Sequence, residues 1–128
     1  MELPSGRVMR YQDVRRERRM VVQEEGAPPK ARTVYTADTN GRRTVFYGGM
    51  LLENCVQATA REVFAGHLLG LNKLDCLKVL FSSHDEAVTE ADLDASPKTV
   101  EQIMSKCPDW LEGCPIAAEA FESPHYKK

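Results

Sequence analysis

The sequence has no long apolar run, no large excess of charge of either sign and no closely spaced pair of cysteines. Each absence excludes a class of protein. No segment approaches the roughly 20 apolar residues of a membrane span, so no membrane partner is expected. The N-terminus is charged within its first residues and no apolar run of signal-peptide length follows, so a reducing cytoplasm is the default compartment. The net charge is −2, so an overall basic balance does not argue for nucleic acid. Cys55, Cys76, Cys107 and Cys114 fall in no CxxC or metal-knuckle spacing, so buried or half-exposed thiols are expected in place of a disulfide framework or a zinc site. No internal repeat is present.

What is there suits one small soluble domain. The chain has 128 residues, 42% hydrophobic and 28% charged, enough to bury one modest core. Charge is uneven along it. Met1 to Thr33 holds eight Lys/Arg against five Asp/Glu, densest at Arg15-Arg16-Glu17-Arg18-Arg19, and the remainder is acidic. Two readings of this arm are open: a surface that touches phosphates, or a solvated charged hairpin.

Leu3-Pro4-Ser5-Gly6-Arg7 reads as a turn, and Arg7 to Tyr11 as a short strand. The next stretch, through Gly26-Ala27-Pro28-Pro29, reads as an exposed excursion ending in a loop. Arg32 to Thr36 predicts a strand, Asn40-Gly41 a tight hairpin turn, and Thr44 to Tyr47 the returning strand. From Met50 the period becomes helical: Leu52, Val56, Ala60, Val63 and His67 recur on one face, widened by Leu51, Cys55, Phe64, Leu68 and Leu71. A helix apolar over so much of its circumference should be largely buried. Leu77 to Phe81 and Glu86 to Glu90 predict a β-hairpin with His84 and Asp85 at its tip. Ser96-Pro97 opens a second helix, Ser as the cap and Pro at the first helical position. Cys107-Pro108 stops it, Trp110 and Leu111 lie in a connector, and Pro115 to Phe121 reads as a last strand. The expected fold class is α+β. A small antiparallel sheet and the hairpin are covered by one long and one shorter helix. In this reading residues 1–128 form a single domain, divided as 1–47 β-rich, 48–72 long helix, 77–92 hairpin, and 96–128 helix with terminal strand and tail.

Two constellations can carry chemistry. His84-Asp85-Glu86 sits on a tight turn, where a carboxylate held by two strands is well placed to ligate a divalent cation. One carboxylate does not complete a Mg²⁺ site, and turn carboxylates are common, so an ordinary turn is the competing reading. Asn54, Gln57 and Arg61 stand at i, i+3 and i+7, within an arc of about 60° on the long helix. Asn and Gln can read base edges in a minor groove and Arg can pair with phosphate. The competing reading is the helix's wet face.

The order of these pieces carries a resemblance. Leu3-Pro4-Ser5-Gly6-Arg7 is similar to the LPSGR that re-enters the palm of family A DNA polymerases, in particular of their phage branch. The run from Tyr47 through Gly48-Gly49-Met50-Leu51-Leu52-Glu53-Asn54 to Gln57, Arg61 and Glu62 resembles the family's GGKLxENxxQAxARD helix. Ser83-His84-Asp85-Glu86-Ala87-Val88 resembles motif C. Pro108-Asp109-Trp110-Leu111-Glu112-Gly113-Cys114-Pro115-Ile116-Ala117-Ala118-Glu119 resembles PxWAxGLPIAAE, and Tyr126-Lys127-Lys128 the basic terminus. The match spans nearly the whole chain and is weakest from about Val14 to Arg43. Met50 stands where the family usually has Lys, Glu62 replaces Asp, Cys55 and Cys114 replace aliphatic residues, and Ser82-Ser83 precedes the His. None of these departures removes the metal ligand.

The resemblance implies that the chain is a C-terminal palm segment. Asp85 would be the catalytic Mg²⁺ ligand, His84 would lie beside the primer terminus, and Glu86 would be a supporting carboxylate. Gln57, Asn54 and Arg61 would contact the DNA primer–template. Two-metal phosphoryl transfer needs further carboxylates, which the family carries in motif A. Motif A, the fingers helix, the thumb and the exonuclease have no counterpart in these residues. The expectation is therefore a split polymerase, inactive alone and completed by a second chain, in the host bacterial cytoplasm if phage-encoded. A non-catalytic module that binds DNA or a replication protein is the alternative. Self-association through exposed strand edges and apolar surface is a further expectation.

Overall fold

The computed structural model describes residues 1–21, 28–93 and 95–126. Five strands and two helices make an α+β fold in two compact units, Met1–Gln57 and Ala58–Lys128. Among the described residues the strands fall into two antiparallel sheets, one of three strands and one of two, the expected small sheet and hairpin.

The first unit opens with a closed loop. The Leu3 amide donates to the Arg7 carbonyl at 2.8 Å and the Gly6 amide to the Leu3 carbonyl at 2.9 Å. Leu3 is buried. The expected strand at Arg7 to Tyr11 reduces to an isolated bridge between Glu2 and Val8. The first strand, β1 (Gln12–Val21), lies in the stretch read as an exposed excursion. It pairs with β2 (Lys30–Thr39), which in turn pairs with β3 (Arg42–Phe46). Pro28 and Pro29 precede β2 as expected, and the Gly26-Ala27 part of that predicted loop lies outside the described residues. β1 escaped notice because its alternation is of polar with polar, Arg against Glu, and carries no hydrophobic period. Asn40-Gly41 joins β2 and β3 with positive φ at both residues, 53° and 77°. That is the mirror-image turn whose twist matches the flanking strands.

Helix α1 (Gly48–Leu71) runs 24 residues. Its expected deep burial is not observed. Only Phe64, His67 and Leu71 are buried, while Leu52, Val56 and Leu69 are each at least 60% exposed. The reason is supply: an apolar stripe wider than one packing partner needs more covering layers than the described residues provide.

In the second unit, β4 (Leu77–Ser83) and β5 (Glu86–Ala91) form the predicted hairpin. Helix α2 (Pro97–Met104) starts at Pro97, with Ser96 extended in the cap position but making no side-chain cap bond. Gly70 of α1 meets α2: a Cβ there would stand 3.1 Å from Ile103 Cγ2. The buried His67 imidazole donates from Nε2 to the Lys106 carbonyl at 2.7 Å, just past the end of α2. A 3-10 turn follows at Asp109–Leu111. The predicted strand at Pro115 to Phe121 does not form. Instead the Ala118 amide donates to Ser105 Oγ and the Ala120 amide to Glu101 Oε1, both at 3.0 Å. Burial alternates along residues 115–121, but α2 side chains satisfy these backbone donors in place of a neighbouring strand. All four cysteines are free thiols, and the Cys107 thiol donates to the Leu111 carbonyl at 3.0 Å.

Candidate functional site

Six residues were singled out, and they fall in two places. His84 and Asp85 are the two loop residues of the β4–β5 hairpin, closed by the Ser83–Glu86 pair. Both side chains are exposed. His84 holds φ at 54°, a left-handed conformation that L-residues adopt only at a cost and that clusters at functional sites. Glu86 is half-buried. Its Oε2 accepts the Tyr126 hydroxyl at 3.1 Å, and the Tyr126 ring meets Phe81 edge-on, centroids 5.3 Å apart. Partial desolvation and the Glu86 carboxylate together raise the Tyr126 phenol above its ordinary range. The arrangement therefore divides the carboxylates. Glu86 is tied to the C-terminal segment, and Asp85 projects with no intramolecular partner among the described residues. The tyrosine clamp went unremarked because the sequence pairs Tyr126 with residues 40 positions away. The two lysines after it lie outside the described residues.

On α1, the Asn54 amide donates to the Tyr11 hydroxyl at 3.2 Å. Tyr11 packs edge-on against Phe46, centroids 5.0 Å apart. Asn54, Tyr11 and Phe46 line an open cleft of about 390 Å³ with Asp38, Asn40 and Gly41. Gln57 is exposed and donates to Glu53 Oε1 at 3.1 Å, an i to i+4 bond along the helix. Arg61 is exposed with its guanidinium 5.8 Å from the Phe64 ring centroid. Gln57 and Arg61 are thus open to a partner, whereas Asn54 already spends one amide proton on Tyr11.

A third cluster joins at the start of β1, where a bulge separates Gln12 from Arg15 and Asp13 has φ of 49°. Asp13 accepts from Arg15 Nε at 3.0 Å and is bound by the Arg43 guanidinium as well. Arg15 and then Arg43 hold the Asp13 carboxyl below its usual range. Arg19 pairs with Glu17 at 2.7 Å. Among the described residues no three His, Cys, Asp or Glu side chains converge as a metal cluster. No described helix is long and apolar enough to cross a membrane.

Comparison with known proteins adds a direction. Over 131 residues, spanning all of this chain, it is 34% identical to the DNA polymerase of Bacillus phage SP02. The chain is similar throughout to part of a phage DNA polymerase. It covers 19% of that relative, about a fifth of its length. No family model matches the chain, and no solved structure matches it.

Proposed function

We propose that the chain is the C-terminal palm segment of a phage-type family A DNA polymerase, acting as one part of a split enzyme in template-directed DNA synthesis. The observation that carries this reading is the similarity of the whole chain to part of a phage DNA polymerase.

In this reading Asp85 is a ligand of catalytic Mg²⁺. An exposed carboxylate at a rigid two-residue tip has the right donor chemistry for a hard cation, and one such group fits a site that other carboxylates and substrate phosphates complete. Bound Mg²⁺ would supply Lewis-acid stabilisation and orientation of the phosphoryl group. The chain's own residues do the rest. Asp85 offers its oxygens outward. Glu86, fixed by Tyr126, stiffens the strand that carries it. His84 lies next to Asp85 at the tip to meet the primer terminus. Gln57 and Arg61, with Asn54 beside them in sequence, contact the primer–template. The nucleophile is the primer 3′-oxygen and pyrophosphate leaves, so no protein residue forms a covalent intermediate. A second chain bearing motif A, fingers, thumb and exonuclease completes the enzyme.

The test is primer extension with Mg²⁺ by this chain, by a chain carrying the remaining polymerase segments, and by both together. Extension is expected only from the mixture, and Asp85→Ala reduces it to background. Activity retained in that variant removes Asp85 from the mechanism, and robust extension by the pure chain overturns the split reading.

A further inference from the structure

The β1–β2 ribbon sorts its charges by face. Side chains alternate along a strand and paired residues share a face. Arg15, Glu17 and Arg19 therefore project from one side, opposite Thr36, Val34 and Arg32. On that side Arg15 is paired with Asp13 and Arg19 with Glu17, and Arg32 and Lys30 of β2 lie on the same face. Arg16 and Arg18 project from the other side, opposite Tyr35 and Thr33. Neither arginine has an ion pair among the described residues, and no carboxylate shares their face between Arg16 and Met20. All four residues are exposed. Across β2, Tyr35 pairs in turn with Phe46 of β3, whose ring lines the cleft holding Tyr11 and Asn54. One face of the first unit thus runs from two unneutralised guanidinium groups, past an open phenol ring, to an aromatic cleft.

We infer that this face is a nucleic-acid-binding surface, on which Arg16 and Arg18 engage the phosphate backbone and Tyr35 packs against a sugar or base. Two arginines at i and i+2 stand about 6.7 Å apart along a strand, so they address neighbouring phosphates of one chain. A two-stranded ribbon is narrow enough to enter a major groove, and guanidinium groups interleaved with an open aromatic suit single strands. The phosphate chemistry is common to both forms. An acidic protein partner would match the arginines but would leave the aromatic continuation unused. The inference extends the polymerase reading, on which it rests for the choice of DNA as ligand. It assigns a contact outside the Asp85 tip and the polar residues of α1.

The experiment is equilibrium binding of labelled oligonucleotides to the full chain, in the absence of nucleotides and of any second chain. It compares a single strand with a primer–template duplex across a salt series. R16Q/R18Q is expected to weaken binding by about tenfold or more at low salt, and to reduce the slope of log K against log salt by roughly 1.4–1.8 units, as for two lost phosphate contacts. R15Q/R19Q removes the same net charge from the opposite face and is expected to change affinity less than about twofold. R16K/R18K should recover most of the loss, which separates charge from misfolding. Tyr35→Ala should weaken the single strand by about fivefold or more, as for a lost stacking partner, and the duplex less if the ribbon enters a groove. Equal loss in the two double variants, or no loss in either, overturns the inference. So does R16Q/R18Q that binds DNA normally but no longer joins the second chain, since the face would then be a protein contact. The assay is independent of extension activity. Failure here with Asp85-dependent synthesis intact would leave the polymerase reading standing, and binding without synthesis would do the reverse.

Discussion

The β1–β2 ribbon and the β4–β5 hairpin solve opposite problems. The β1–β2 ribbon is mostly exposed, with Glu17, Val21 and Val34 half-buried, until Thr36 and Ala37 are buried near its base. Its chemistry is spread over five arginines, of which Arg15 and Arg19 are paired with Asp13 and Glu17. The β4–β5 hairpin is anchored by the buried Leu77 at one end and by the Phe81–Tyr126 contact near the other. Its chemistry is concentrated in one exposed carboxylate on a two-residue turn. A diffuse, solvated set of charges suits a ligand that is itself a repeating polyanion and tolerates sliding. A single anchored carboxylate suits an ion that must be held to within a fraction of an ångström. The difference teaches that exposure alone does not mark a site: the supports beneath the exposed group decide what it can hold.

Substitutions can break this contrast. The largest effect belongs to Asp85→Ala, expected to lower primer extension by the reconstituted enzyme about a thousandfold or more, the scale of several kcal/mol of transition-state stabilisation. DNA affinity measured without nucleotide should stay within about threefold, because in the proposed reading the tip would act on the reacting phosphate more than on the duplex. Loss of affinity equal to the loss of rate would show that the two hairpins do not divide their labour.

Stability should divide in the same way. Leu77→Ala is expected to cost about 2–4 kcal/mol through lost burial and the cavity left behind. Met20→Ala, on the open face of the ribbon, is expected to cost less than about 0.5 kcal/mol. Urea unfolding of the two variants reads both, and a comparable cost at Met20 would mean that the ribbon is packed rather than open.

His84→Gly sharpens the account of the tip. Relieving a left-handed φ of 54° should stabilise the chain by about 1 kcal/mol in thermal melts. Extension activity should fall, because the turn loses its fixed form and its imidazole. A stabilised variant with full activity would make the strain incidental.

The smallest effects concern pH. Asp13 has a lowered carboxyl pKa, so its contribution to the base of the ribbon is present above about pH 4 and is lost as pH falls through the depressed value. Tyr126 has a raised phenol pKa, so its contribution is complete below about pH 10 and is lost as pH rises through the elevated value. Amide exchange followed against pH should therefore loosen the ribbon base in acid and the hairpin tip in alkali. Loosening of both together at one end of the scale would contradict the assignment.

Much of this was legible in the residues. Asn40-Gly41 announces its turn because few residues accept two positive φ angles in succession. Ser96-Pro97 announces α2, and the spacing from Leu52 to Leu71 announces α1. His84-Asp85 falls at a hairpin tip because apolar alternation stops on one side of it and resumes on the other. Two of the misreadings share a cause. β1 has alternation without hydrophobic contrast, and Pro115 to Phe121 has contrast without a strand partner. A local pattern cannot report which distant groups will take up the backbone hydrogen bonds.

By itself the sequence determined the turns, the helix starts, the presence of an exposed carboxylate between two strands, and the density of arginines near the N-terminus. These follow from local sterics and from the period of the side chains. Only the tertiary structure decided which arginines are neutralised and which are bare, that Glu86 is clamped by Tyr126 while Asp85 stands clear, and that a helix apolar enough to be buried is left largely open. Those outcomes depend on strand register and on contacts between residues far apart in the chain, and a one-residue change in register would have exchanged the two faces of the ribbon.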